Sequence, residues 1–176
     1  NVANWNFNRL PCEEETVILQ VPTTLSSDAT VAGLTFSENG SLHITSTGGL
    51  SVGEQGIQDA ATNGSSIIID NLKTGAGFLR ISPDCHETMP HFTMRYETAS
   101  TLDNGANLDA TWQYIGAPGA NCQFTVDGIT WLYHWSEKEG WINKTGTLTL
   151  EPFAGYAITQ YGKPTYELVA QPINTN

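Results

Sequence analysis

Leu34-Thr35-Phe36, Leu42-His43-Ile44 and Leu50-Ser51-Val52 repeat one pattern, apolar-x-apolar, every eight residues. Alternation along an extended chain puts both apolar side chains of a unit on one face, so each unit reads as a short strand that buries two side chains and then turns. Asn39-Gly40 and Gly48-Gly49 fill the first two gaps, and Gly53 directly follows the third strand. Two architectures produce this pattern: a meander of short hairpins through Asn-Gly and Gly-Gly turns, or rungs of a parallel β-helix with glycine-rich corners. Ile57 and Ile67-Ile68-Ile69 extend the series less regularly and tilt the reading toward rungs.

Upstream, Asn4-Trp5-Asn6-Phe7-Asn8-Arg9-Leu10-Pro11 leads through Glu13-Glu14-Glu15 into the apolar strand Thr16 to Val21. The glutamates read as a solvated turn that discourages edge pairing. Downstream, the eight-residue period is lost after Gly75–Arg80, which places a boundary there: a repeat-like region over 1–74 and an aromatic-rich region over 75–176. Four of the five tryptophans lie between Trp112 and Tyr161. Strands are expected at Phe92–Tyr96, Thr111–Ile115, Gln123–Val126, Ile129–His134, Thr147–Leu150, Tyr156–Tyr161 and Tyr166–Ala170, since aromatic and β-branched residues suit a pleated, half-buried surface. Asp127-Gly128 is a two-residue hairpin signal, and Glu137-Lys138-Glu139-Gly140 a longer turn between Trp135 and Trp141. Short strands with turns every ten or so residues suggest a sandwich-like antiparallel half. The fold class expected is therefore all-β: a short parallel β-helix or β-meander followed by an antiparallel β-sandwich-like half.

The chain of 176 residues carries 14% charged residues and a formal net charge of -11. So acidic a surface repels phosphate backbones and anionic lipids, which argues against nucleic-acid and membrane partners. No apolar run is long enough to span a bilayer and no signal sequence is visible, so a mature or trimmed chain is expected. Three cysteines, Cys12, Cys85 and Cys122, allow one disulfide at most, Cys12 with Cys85 or with Cys122 being open alternatives. Sequons at Asn39, Asn63 and Asn143 arise readily by chance in a chain this rich in Asn, Ser and Thr.

The opening Asn4-Trp5 through Leu10-Pro11, then Thr16-Val17-Ile18 and the Leu-x-apolar units, resembles the start of β-helical segments in large bacterial surface proteins. It is similar, more weakly, to the beginning of the animal membrane protein amnionless, through an Asn-Trp, an Asn-Arg and a Pro-Cys at this spacing. Gly75–Ile81, Thr111–Pro118 and Pro152–Ile158 resemble segments of secreted or surface proteins of Bacteroidota bacteria. The resemblance implies an extracellular β-rich module, secreted or at the cell surface, and carries no catalytic residues to transfer.

Of the constellations with ligand or catalytic chemistry, Cys85, His86 and His91 form a zinc-compatible set in a spacing that matches no closed zinc motif. Asp103, Asn107 and Asp109 offer oxygens at alternate positions, as calcium loops do, but lack the frame and its terminal Glu. Asp127, Glu137, Glu139 and Glu151 are the acids available for a glycosidase pair, and most sit in expected turns. No cofactor is implied.

The aromatics are the best candidates. In Trp131-Leu132-Tyr133-His134-Trp135, alternation sets Trp131, Tyr133 and Trp135 against Leu132 and His134. The aromatic face is either core or an exposed platform on which sugar rings stack; energetics favour core, and Leu132 on the other face argues the reverse. Trp112 with Tyr114, and Trp141, pose the same alternative. The role expected is non-catalytic contact with a glycan or a host or cell-surface protein, in competition with a carbohydrate-active enzyme domain and with a pure structural spacer. His43, between Leu42 and Ile44, is expected to face solvent.

Overall fold

The computed structural model describes residues 11–61, 65–82, 90–98, 112–117, 120–152, 154–160 and 165–171. These residues are all-β, with parallel and antiparallel sheets and no helix among them. The chain divides into two units, Asn1–His91 with Asn174–Asn176, and Phe92–Ile173.

The first unit holds β1 (Thr16–Leu19), β2 (Pro22–Leu25), β3 (Asp28–Phe36), β4 (Ser41–Ile44), β5 (Gly49–Asp59), β6 (Ser66–Leu72), β7 (Gly75–Ala76) and β8 (Phe78–Ile81). None of the three eight-residue units pairs with its sequence neighbour, so the meander alternative fails. Each pairs in parallel with residues farther away along the chain. Val17 aligns with Leu34 and Leu34 with Ile57; Thr23 with Leu42 and Leu42 with Ile67; Ala29 with Leu50 and Leu50 with Leu79. The period of eight therefore separates units that do not pair with their neighbours, and the residues that do pair in parallel lie farther apart in sequence. Like residues stack on like along these ladders. Val17, Leu34, Ile57, Leu42, Ile67, Ile44, Ile69, Leu50, Val31 and Val52 are all buried, and Phe36 is sealed completely.

Tight corners make this stacking possible. Ser37 N–H and Thr45 N–H donate to the carbonyls of Leu19 and Leu25, the last residues of β1 and β2, and Gly40 N–H and Gly48 N–H close each turn on the oxygens of Ser37 and Thr45. Asn39 takes a left-handed φ of 68° in the first corner. A methyl group on Gly40 or Gly48 would collide with the same Leu19 or Leu25 carbonyl, which is backbone and has nowhere to go. Gly48→Ala is accordingly expected to destabilise by about 1–3 kcal/mol, an overpacking cost, measured as a shift in the denaturation midpoint.

The boundary expected at residue 74/75 lies inside this unit, because β8 pairs in parallel with β5 from Gly49↔Phe78 to Val52↔Ile81. The eight-residue spacing is lost before the ladder is, since a longer corner, including the short β6–β7 pairing at Asn71↔Ala76, intervenes.

The second unit holds β9 (His91–Glu97), β10 (Gln113–Gly116), β11 (Ala120–Val126), β12 (Thr130–Ser136), β13 (Gly140–Lys144), β14 (Gly146–Leu150), β15 (Gly155–Gln160) and β16 (Thr165–Gln171). They form two antiparallel arrays in the orders β10-β15-β12-β13 and β14-β11-β16-β9. One hydrophobic cluster draws from both: Ile115, Leu132, Tyr156 and Ile158 from the first, and Cys122, Phe124, Leu150, Tyr166, Leu168 and Ala170 from the second. Tyr96 stacks on Tyr166 at 5.1 Å, and Phe124 meets Tyr166 edge-on at 6.3 Å.

Asp127-Gly128 does not make a hairpin. β11 pairs with β14 and β16, whereas β12 pairs with β13 and β15, so this turn carries the chain from one array to the other. The Asp127 carboxylate accepts Ile129 N–H at 3.2 Å and Thr130 Oγ1–H at 2.8 Å, which is the Asx-turn chemistry of its residue type put to a corner. The turn at Glu137–Gly140 does close a hairpin, with Trp135 opposite Trp141 and Gly140 at φ 74°.

Cys12 and Cys122 are free thiols, which excludes their pairing with each other. Cys85 lies outside the described residues. Burial pushes the Cys122 thiol up to about 11 from 9.0, and raises the Tyr166 and Tyr96 hydroxyls above their ordinary value too. In the unfolded chain these groups lose their protons at lower pH than in the fold. Stability is thus full below pH 9 and falls as the pH rises toward 11. Urea denaturation across that range is expected to show a decline, and Cys122→Ala a shallower one.

Candidate functional site

The array β10-β15-β12-β13 has one face in the core and one outside. Leu132 is fully buried within the core cluster, which fixes the direction of β12: Trp131, Tyr133 and Trp135 point outward. The energetic preference for an aromatic core face is overturned, because the opposite array supplies enough apolar side chains to seal Leu132, Ile158 and Ile115 without them. His134, on the inner side, sits 5.2 Å from the Tyr156 ring.

Registers place the outward residues in rows. Tyr114, Ala157, Tyr133 and Asn143 cross the four strands in one row, Trp131 stands beside Thr159, and Trp135 beside Trp141. The central strand, β15, thus contributes only small residues outward: Gly155, Ala157 and Thr159. Its neighbours contribute aromatics. A small-residue floor between aromatic walls is a furrow.

The walls lean together over the floor. Trp112 meets Tyr133 edge-on at 5.4 Å, Tyr114 meets Trp141 at 6.1 Å, and Trp135 meets Trp141 edge-on at 5.3 Å. Ala157 and Thr159 are 6% and 3% exposed although they point away from the core, so these rings shield them. The rings themselves stay open to solvent: Tyr114 is 76% exposed, Trp135 and Trp141 46%, and Trp112 38%. Two hollows result. One, of about 250 Å³, is lined by Trp112, Tyr114, Tyr133, Trp141 and Ala157. The other, of about 480 Å³, lies on the far side of the Tyr114–Trp141 pair, against Trp135, Gly155 and Tyr156.

Polar groups are few. Trp135 Nε1–H donates to Glu137 Oε1 at 3.4 Å, which puts one carboxylate at the edge of the aromatic face. Asn143 is exposed in the Tyr133 row. Thr159 Oγ1 is buried without a hydrogen-bond partner.

All six aromatics singled out from the sequence therefore lie on or beside one array, with ring contacts in two groups, Trp112 with Tyr133 and Tyr114 with Trp141 and Trp135. Trp131 lies next in line, opposite Thr159. The floor residues Gly155, Ala157 and Thr159 carry no chemical signal of their own and were not foreseen; only the register across β15 reveals them. Of the acids considered for catalysis, the Asp127 carboxylate braces its turn and that of Glu137 meets Trp135, while Glu139 and Glu151 are exposed. The candidate calcium ligands Asp103, Asn107 and Asp109, and Cys85 and His86, lie outside the described residues. Among the described residues no group of three or more His, Cys, Asp or Glu gathers to hold a metal ion.

In the first unit, the His43 side chain is about a third exposed, and its Nε2 lies 2.8 Å from Asp70 Oδ2, a bond between the paired strands β4 and β6. No family model, curated protein or solved structure matches the chain.

Proposed function

We propose that this chain is a non-catalytic, extracellular β-rich module of a bacterial secreted or surface protein that contacts glycans through the aromatic face of its second unit. In this reading the first unit is a short parallel β-helix, supported by the coil-on-coil ladders, and serves as a spacer. The second is a β-sandwich, supported by the single core drawn from two arrays. The observation that carries the function is the furrow over Gly155, Ala157 and Thr159, walled by solvent-exposed Trp and Tyr rings.

An exposed cluster of large aromatics costs solubility unless something covers it, and such patches mark contact surfaces. The apolar C–H faces of sugar rings stack on aromatic rings, and a few polar groups at the edge, here Asn143 and Glu137, fix orientation. The two hollows follow one another along β15, which suits consecutive units of a chain-like ligand. Affinity electrophoresis through gels containing a panel of host and plant polysaccharides is expected to show retardation by at least one of them. Unretarded migration across the whole panel would sink the glycan reading and leave the spacer role for the whole chain.

A further inference from the structure

The smaller hollow has a composition that goes beyond what a sugar ring requires. Four aromatic side chains, Trp112, Tyr114, Tyr133 and Trp141, surround a floor of one methyl group, Ala157. The faces of such rings are electronegative, and a cation enclosed by several of them is attracted without forming any hydrogen bond. We infer that this hollow receives a quaternary ammonium group, carried as a substituent on the glycan; the inference rests on the aromatic face being the contact surface and narrows its ligand.

Charge argues for the sign. Among the described residues no lysine or arginine occupies an outward position of β10, β12, β13 or β15, and Lys138 stands in the β12–β13 turn between Glu137 and Glu139. The nearest charge fixed to the face is negative, the Glu137 carboxylate at Trp135 Nε1. The chain as a whole carries -11, a field that concentrates cations. Chemistry argues for the substituent. A primary ammonium brings three N–H donors that lose their water partners on entry, and among the described residues no carboxylate lines the hollow to replace them. A trimethylammonium group has no N–H donor, spreads its charge over its methyl groups, and presents an apolar surface to the rings. The space of about 250 Å³ admits such a group with room to spare.

The probe is choline, compared with its uncharged isostere 3,3-dimethylbutan-1-ol, in titrations of the whole chain followed by tryptophan fluorescence. The two have nearly the same shape and differ in charge, so the comparison isolates the cation. Choline is expected to give a saturable change with an affinity at least about tenfold tighter than the isostere, from ring–cation attraction. Trp141→Leu, checked for an unchanged melting curve, is expected to remove that preference. Equal affinities for the two compounds, or no saturable response to choline, would overturn the inference whether or not any variant folds. The gel panel separates this from the broader reading. Retardation by a glycan that choline does not relieve keeps glycan contact and rejects the quaternary ammonium ligand. Saturable choline binding with no polysaccharide retarded keeps the cation site and rejects the glycan as its carrier.

Discussion

Leu132→Ala is expected to lower the unfolding free energy of the second unit by about 2–5 kcal/mol, the range for emptying a sealed aliphatic site. Leu132 is fully buried, in the cluster that contains Ile158, Leu150 and Phe124, so no water fills the space and the neighbours can collapse only in part. Trp135, three positions along the same strand, is expected to behave differently. It is nearly half exposed and packs edge-on against Trp141, so Trp135→Ala should cost about 0.5–1.5 kcal/mol, the worth of an aromatic pair. The contrast, read by urea denaturation, tests the direction of β12. A strand turned the other way would reverse the order of the two losses.

Phe36→Ala is expected to cost about 3–5 kcal/mol in the first unit, the range for deleting a buried phenyl ring. Phe36 has no exposed surface, and the ladder pairs it with Leu19 below and Asp59 above. The Asp59 carboxylate is turned to the corner beyond it, accepting Ala61 N–H at 3.1 Å and Ser65 Oγ–H at 2.6 Å. Far-UV circular dichroism during denaturation gives the measurement, and a loss below about 1 kcal/mol would mean that the first unit is not packed around this ring.

Much of the architecture could be read from local pattern. Strand positions follow from alternation, as at Thr130–Ser136 and Thr165–Gln171, because period two survives wherever one face is buried. The three eight-residue units were legible as strands, and the glycines between them as corners. Which strand pairs with which was not, since Asn-Gly and Gly-Gly serve hairpins and coil corners alike. Asp127-Gly128 shows the same limit: its Asx-turn chemistry is local, and whether the next strand folds back or crosses to another array depends on what buries Leu132. The aromatic candidates were legible because Trp and Tyr are scarce and were clustered. Their exposure was not, because it depends on the competition between two faces of one strand, and the partner array that settles it is assembled from strands on both sides of it in sequence, β9, β11, β14 and β16. The floor of the furrow was least visible, as Gly155, Ala157 and Thr159 matter through what they lack.

The most direct test of the aromatic face as a contact surface is affinity electrophoresis of the wild-type chain beside the Trp135→Ala/Trp141→Ala variant, with melting curves recorded for both. Retardation of the wild type by a defined polysaccharide, lost in a variant that melts within a few degrees of it, is the predicted result. Retention of binding by the variant, or loss of binding together with a collapse of thermal stability, would contradict it and return these rings to the core.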